Sequence, residues 1–244
     1  MNIYVEGPRW SGMWTEIIAD ALHELGHQVD YGYHNHKTAR DRLTLAVQSL
    51  APGSDRKHQW AQRQRQQLLA RLLNCKVDIL LSIQGNIDRH TASLLRKHAP
   101  GLRIIYWWGD ILTAKAHTRL REAAGFADRL LVSYLGAYRA LQPSYGKRLQ
   151  YFPFGTSKKF HTPGSLSARN RERFGKTVAF VGTYYPERCA LIRHLNQLLE
   201  TPVAVWGRGW RKCHGVKHHG ALSLADSLKV YHCSRIVLNL HHVN

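Results

Sequence analysis

The stretch VAFVGTYYPER, residues 178–188, combines residue types that can bind a phosphate group. Its apolar start predicts a buried strand, and Gly182 would let the backbone after it approach a ligand closely. Pro186 suits the first turn of a helix, whose free N–H groups and dipole favour an anion. Thr183 adds a hydroxyl group, and Arg188 adds a forked cation that matches a diphosphate. The alternative is an ordinary strand-to-helix connection with a solvated arginine.

A second glycine turn follows in VWGRGW, residues 205–210, where two glycines enclose Arg208 and two tryptophans flank them. Backbone exposed beside aromatic rings at the carboxyl end of a strand could hold a nucleobase or ribose. A turn whose Trp206 and Trp210 pack in the core is the alternative. Neither turn matches a Walker loop or a G-x-G-x-x-G sequence, so neither of those mechanisms applies.

The cysteines and histidines do not predict a metal site. Cys213, His214, His218 and His219 are close in sequence but lack the paired spacing of a zinc site. The four cysteines contain no C-x-x-C sequence, and we expect free thiols or small buried apolar side chains. No D-x-D sequence is present to hold a divalent cation on a diphosphate.

The elements that must position these residues alternate between strand and helix. The chain opens with a strand at 2–7, a helix at 11–26 and a strand at 27–33, which favours parallel strands. Further strands are predicted at 77–83, 102–108 and 128–133, with helices at 91–99 and 114–125 between them. This alternation predicts an open, doubly wound α/β domain over residues 1–154.

The same alternation begins again after a stretch rich in Gly, Pro, Ser and charge. We therefore expect an interdomain linker at 155–176 and a second, partial Rossmann-like domain at 177–244. Its predicted strands are 177–181, 202–207 and 235–241, and its predicted helices are 186–199 and 224–232. With three clear strands, this second domain is expected to be incomplete.

Composition limits the classes of function. The 244 residues include 44% hydrophobic residues, which argues against disorder, and no run approaches the roughly 18 apolar residues of a membrane span. The N-terminus does not resemble a signal peptide, so a cytoplasmic location is the default expectation. The net charge of +19 favours polyanionic or phosphorylated partners.

The order of three segments resembles one family. VAFVGTYYPER, then VAVWGRGW, then HHGALSLADSLKVYHCSRIVLNLHH look like the nucleotide-binding half of the CgeB-like (spore maturation protein-like) glycosyltransferases. GPRWSGMWTEIIADALHELGHQV, which begins at Gly7 and contains Trp10, resembles the opening of that family's acceptor half. The resemblance implies the two-domain GT-B architecture and transfer of a sugar from a nucleotide-sugar to an acceptor.

The resemblance also implies roles for individual residues. The donor diphosphate would contact Gly182, Thr183, Tyr184 and Arg188. The nucleoside would lie beside Gly207, Arg208, Gly209 and Trp210, with Gly220 and Ala221 near the base. On the acceptor side, the matching positions are Gly7, Trp10 and His34. An acidic residue and a glycine-rich helix start, usual in the family beyond the point where this sequence ends, have no counterpart in it.

A metal-independent GT-B enzyme that inverts configuration needs a general base near the acceptor hydroxyl. Asp110, after YWWG at the end of a predicted strand, is the first candidate, and His34 and His36 come next. The alternative for Asp110 is a helix N-cap. An enzyme that retains configuration would need no such base.

Residues 56–73 predict a basic helix with no acidic residue, carrying Arg56, Lys57, Arg63, Arg65 and Arg71. It could contact an anionic membrane, where a lipid-linked acceptor would lie, or a nucleic-acid backbone. An ordinary amphipathic helix is the alternative. The function hypotheses are accordingly a glycosyltransferase acting on a glycan or lipid-linked acceptor, a non-catalytic sugar-nucleotide or polyanion-binding relative, and a nucleic-acid-binding protein.

Overall fold

The computed structural model describes residues 1–9, 14–34, 56–158, 162 and 166–240, apart from the side chains of residues 56–58 and 115. The chain divides into two compact units, Met1–Gly155 and Thr156–Asn244. Each unit is built on a parallel sheet, so the predicted α/β fold with two Rossmann-like units is confirmed.

The first unit contains six strands in the order β2-β1-β3-β4-β5-β6. They are β1 (Asn2–Gly7), β2 (Gln28–Tyr33), β3 (Ile79–Ile83), β4 (Arg103–Trp108), β5 (Arg129–Val132) and β6 (Leu149–Tyr151). The helices are α1 (Trp14–Glu24), α2 (Arg56–Leu73), α3 (Arg89–His98), α4 (Ala114–Ala124) and α5 (Leu135–Tyr145). All described pairings are parallel, so every strand ends at the same edge of the sheet.

Two apolar clusters hold this sheet between its helices. One face packs Leu80, Ile104 and Leu130 against α2, α3 and α4, and the other packs Val5 and Trp107 against α1. Because strand side chains alternate between faces, the apolar runs of these strands supply both clusters. Chain order reverses between β1 and β3, and ligands of open α/β sheets bind at such switch points.

The second unit contains a three-stranded sheet in the order β8-β7-β9. Its elements are α6 (Ala168–Phe174), β7 (Val178–Val181), α7 (Pro186–Leu198), β8 (Ala204–Trp206), α8 (Leu224–Cys233) and β9 (Ile236–Leu238). A short 3₁₀ turn, Trp210–Lys212, follows β8.

Three elements were absent from the sequence-based assignment. Helix α6 lies inside the predicted linker, where Ser167 caps it and Phe174, 1% exposed, enters the core of the second unit. Helix α5 and strand β6 complete the first unit. Pro143 lies inside α5, which weakens the helical signal of that segment.

Candidate functional site

The glycine turns of the second unit lie at the carboxyl ends of β7 and β8, which are neighbouring parallel strands. The Gly182 N–H donates to the Trp206 carbonyl at 2.9 Å, and the Tyr184 N–H donates to the Arg208 carbonyl at 2.9 Å. The Gly207 N–H donates to the Gly220 carbonyl at 2.8 Å. Three segments that are separate along the sequence therefore form one set of backbone loops. We call them the glycine loops (182–185, 207–210 and 218–221).

Close backbone packing explains two of these glycines. A Cβ at Gly207 would lie 1.9 Å from the Gly182 carbonyl oxygen, and the φ of Gly207 is +144°. Gly209 has a φ of +83°, and a Cβ there would lie 3.1 Å from the Tyr184 Cβ. Gly207 excludes any side chain because the loops touch there, whether or not a ligand is present, and the positive φ of Gly209 favours glycine.

The two tryptophans of the second turn lie in the core. Trp206 is 3% exposed and Trp210 is 1% exposed. The Trp210 indole N–H donates to the Gly182 carbonyl at 2.7 Å, and its ring packs edge-on against Phe180 and Tyr184. The core alternative for both tryptophans is therefore what the structure shows, and Trp210 acts by bracing the loops.

The turn after β7 leads into α7, whose N-cap residue Tyr185 makes no side-chain cap hydrogen bond. Arg188, in the first turn, donates from Nη1 to the Thr183 carbonyl at 2.9 Å, and its guanidinium lies 5.0 Å from the Tyr185 ring centroid. The side chain is thus held beside the turn while remaining partly exposed. A helix N-terminus beside a fixed guanidinium is a feature of an anion site.

A cleft of about 430 Å³ lies next to Arg188. Val181 and Leu238, at the ends of β7 and β9, line it together with Phe180, Tyr231 and Asn239. Its volume falls within the usual range for sites that bind small organic ligands.

Positive charge surrounds the third glycine loop. The ring of His219 stacks on Trp206 with centroids 4.8 Å apart. Partial burial lowers the pKa of His219 below its ordinary value of 6.5, and the charges of Lys176, Lys217 and His218 lower it further. The local field therefore disfavours another cation and favours an anion.

A disulfide joins Cys189 in α7 to Cys213 after the 3₁₀ turn, with Cα atoms 5.9 Å apart. The expectation of thiols was therefore wrong for this pair, although both residues are buried; Cys75 and Cys233 are free. Sequence gave no sign of the pairing because only the fold brings α7 beside the second turn. The disulfide also removes the Cys213 thiol from the cluster of Cys213, His214, His218 and His219, and no group of three metal-binding side chains occurs within the described residues.

Two of the predicted acceptor-side residues, Gly7 and His34, lie at the same edge of the first sheet. Gly7 ends β1, and a Cβ there would lie 2.2 Å from the Thr15 hydroxyl of α1. The His34 N–H donates to the Gly7 carbonyl at 3.1 Å, and His34 Nε2 lies 3.1 Å from the Ile83 carbonyl oxygen. His34 therefore bridges the ends of β1 and β3. Trp10 and His36 lie outside the described residues.

Three polar residues near this edge were not predicted. Glu6 is 5% exposed and accepts a hydrogen bond from the Ser82 hydroxyl at 2.6 Å. Gln84 has a φ of +52°, and its buried Nε2 has no hydrogen-bond partner within the described residues. An acidic residue inside the apolar run NIYVEG was the available signal for Glu6; nothing in sequence marked Gln84.

Asp110 lies after β4 on the exposed side of the same edge, where its Oδ1 accepts from the Ile111 N–H at 2.9 Å. It does not cap a helix, because the N-cap of α4 is Thr113, which accepts from the Ala116 N–H. The N-cap alternative is therefore wrong.

Helix α2 has the predicted bounds, but two of its arginines bind within the first unit. Arg65 pairs with Asp88 at 2.7 Å, and Arg71 Nη1 donates to the Tyr4 hydroxyl at 3.2 Å. Leu68 and Leu72 face the core. Part of the basic helix is thus structural. Among the described helices, none is long and apolar enough to cross a bilayer.

Comparison with known proteins identifies the fold. No family model and no curated protein matches the sequence. Among solved structures, a glycosyltransferase from Rickettsia africae matches with a TM-score of 0.61 at 12% identity, over 97% of this chain and 72% of that one. S. aureus MnaA, solved with UDP, matches with a TM-score of 0.59 at 12% identity, over 97% and 73%.

A trehalose-6-phosphate synthase matches with a TM-score of 0.51 at 13% identity, over 99% of this chain and 73% of that one. The fold is that of the GT-B glycosyltransferases. Likeness at this identity establishes the architecture alone, so the roles of individual residues depend on the geometry described above.

Proposed function

We propose that this protein is a nucleotide-sugar-dependent glycosyltransferase of the CgeB-like kind, whose glycine loops bind the donor. The observation that carries the proposal is the arrangement at the start of α7. There, the N-terminus of α7 and the fixed guanidinium of Arg188 adjoin a cleft at the carboxyl ends of β7 and β9.

In this proposal, the donor diphosphate binds at Gly182, Thr183 and the α7 N-terminus, with Arg188 opposite its oxygens. A departing nucleoside diphosphate carries negative charge, and fixed N–H groups and a guanidinium stabilise that charge without a metal ion. The nucleoside lies along the second and third glycine loops, beside Gly207, Arg208, Gly209, Gly220 and Ala221. Trp210 supports this surface from the core side.

Asp110 is the proposed general base if the reaction inverts configuration. Its carboxylate is exposed at the end of β4, where a hydroxyl group of an acceptor can reach it. His34 lies at the same edge of the sheet and is the second candidate. A cytoplasmic location and a peripheral contact of α2 with an anionic membrane remain predictions.

The experiment is a thermal-shift titration of the chain with UDP, GDP, dTDP and ADP. A nucleotide that binds the folded state alone raises the melting temperature in proportion to the logarithm of its concentration. We expect one nucleotide to give the largest shift, and Arg188→Ala to abolish it. Arg188→Lys keeps the charge but loses the fork, so a partial loss is expected.

Two further variants on α7 supply the controls. Arg193→Ala removes an exposed arginine one turn further along the helix and should leave the shift unchanged. Glu187→Gln removes the acidic residue of the first turn, which opposes a bound anion, and should strengthen binding. The proposal is wrong if no nucleotide stabilises the chain, or if Arg188→Ala and Arg193→Ala behave alike. Binding without transfer would favour the non-catalytic alternative.

A further inference from the structure

An exposed group of aromatic side chains lies at the edge of the first sheet, and the proposed function does not use it. We call Trp14, Trp107, Tyr134, Phe152 and Phe154 the aromatic platform. Phe152 and Phe154 are each 45% exposed and Tyr134 is 39% exposed, whereas Trp107 beneath them is 3% exposed. Single exposed apolar side chains are common on folded proteins, but a contiguous exposed apolar patch often marks a binding site.

The platform is rigid because each ring is attached near an element end and packs on its neighbours. Trp14 lies 5.0 Å from Phe154, Trp107 lies 5.3 Å from Phe152, and Tyr134 lies 6.1 Å from Phe154, between ring centroids. The Trp107 indole N–H donates to the buried Ser133 hydroxyl at 2.8 Å. The rings are thus fixed in place before any ligand arrives.

The platform has a polar margin made by Asp110 and Tyr134. Gly109 lets the Asp110 segment lie close to the rings, since a Cβ there would be 2.9 Å from Trp14 Cζ3 and 3.4 Å from the Phe154 ring. Partial burial raises the pKa of Tyr134, and the negative charge of Asp110 raises it further. Asp110 follows Gly109 directly, and the Tyr134 ring packs against Phe154, so both polar side chains border the aromatic surface.

We propose that the aromatic platform, with Asp110 and Tyr134, binds a sugar ring of the acceptor, so that the acceptor is a saccharide. A pyranose ring has an apolar face of C–H groups, which suits the electron-rich face of an aromatic ring. Its hydroxyl groups lie around the ring, where a carboxylate accepts two hydrogen bonds and a phenol donates one. This inference rests on the proposed glycosyl transfer, whose acceptor it specifies.

Two other occupants fit the margin less well. A lipid chain would use the rings but would have to desolvate the Asp110 carboxylate, which it cannot hydrogen-bond. A polyanion, or the headgroup of an anionic lipid, would be repelled by the same carboxylate. A neutral ring bearing hydroxyl groups uses both parts of the surface.

The test is a titration of the full chain, followed by tryptophan fluorescence because Trp14 and Trp107 belong to the platform. The probes are maltose, cellobiose, chitobiose and lactose, each without nucleotide. We expect a saturable change with at least one disaccharide, and a dissociation constant raised about tenfold in Phe154→Ala and in Asp110→Asn. The matched control is Leu191→Ala, which removes a side chain of 43% exposure in the second unit.

Phe154, Asp110 and Leu191 are exposed, so we expect all three variants to fold, and circular dichroism of each variant checks this. The inference is overturned if no disaccharide binds at concentrations up to about 50 mM, or if Phe154→Ala binds as well as Leu191→Ala. Binding to phosphatidylglycerol vesicles that Phe154→Ala abolishes would also overturn it, in favour of a lipid surface. Because no nucleotide is present, this result is independent of the donor experiment.

Discussion

The two sheet edges present different atoms to a ligand. At the second sheet, the glycine loops are joined by backbone hydrogen bonds, and their tryptophans lie in the core. At the first sheet, the edge is covered by side chains, which include the aromatic platform, Asp110, His34 and Gln84. One edge therefore offers a helix start and closely packed backbone in fixed positions, and the other offers aromatic rings and a carboxylate.

This difference matches what each ligand would require. A diphosphate is common to all nucleotide-sugars, and backbone N–H groups at a helix start recognise it without a particular side chain. The acceptor differs between enzymes, and a site made of side chains can adapt to a new acceptor by substitution of single residues. The backbone site depends on glycine at a few positions, whereas the side-chain site can change residue by residue while the sheet is kept.

The largest expected effect tests the backbone site. Gly207→Ala places a Cβ 1.9 Å from the Gly182 carbonyl oxygen, at a φ of +144°. We expect the second unit to lose about 3 kcal/mol of unfolding free energy, because the clash is with backbone and the conformation is strained. Denaturant unfolding measures the change, and nucleotide binding should be lost with it.

Gly136→Ala is the matched control, since it lies in α5 with no atom within 4 Å of the added methyl group. It should be neutral or stabilise by up to about 1 kcal/mol, because alanine favours the helix. If Gly207→Ala changes the free energy of unfolding no more than Gly136→Ala does, the glycine loops do not pack against each other as described.

The backbone edge of the second sheet was easier to predict from sequence than the side-chain edge of the first sheet. Elements with clear periodicity were found with small errors at their ends, and α2 has the predicted bounds of 56–73. The glycine turns were found because glycine after a strand is a local signal. Their interlocking and the Cys189–Cys213 bond depend on contacts between segments about 25 residues apart, which local patterns do not report.

The side-chain edge was harder to predict. Phe152 and Phe154 follow β6, a three-residue strand that sequence did not reveal, so their position beside Trp107 was hidden. Asp110 was correctly located after a strand, but its alternative as an N-cap failed because the N-cap is Thr113, three residues later, and the helix begins at Ala114. For Trp210, the resemblance implied a place beside the nucleoside and the residues alone left packing in the core open; the structure shows that the ring packs in the core.

A smaller effect tests the side-chain site. Gln84 has a φ of +52°, the one positive value for a non-glycine residue within the described part of the chain. Gln84→Gly relaxes that conformation and removes a buried amide nitrogen without a described partner. We expect the first unit to gain up to about 1 kcal/mol of unfolding free energy, measured by denaturant unfolding.

Strain of this kind tends to be retained where a side chain has a function. Gln84→Gly should therefore reduce transfer to the acceptor while it stabilises the fold. Gln84→Asn, which keeps the amide and tolerates positive φ, is the matched variant and should lose less activity. Destabilisation by Gln84→Gly would mean that the glutamine is held for packing.

The smallest effect concerns His219, beside the third glycine loop. Its pKa in the folded chain lies below the ordinary value of 6.5, so the unfolded chain binds more protons as the pH falls through that value. The free energy of unfolding therefore decreases below about pH 6.5, and His219→Gln should make the decrease shallower.

Bound UDP would bring negative charge to the same loops and raise the pKa of His219. An NMR titration of its ring proton with and without UDP measures this. Lys217→Ala should raise the pKa without nucleotide, because it removes a neighbouring positive charge. A pKa unchanged by saturating UDP would place the anion away from the third loop, and would restrict the backbone site to the first two.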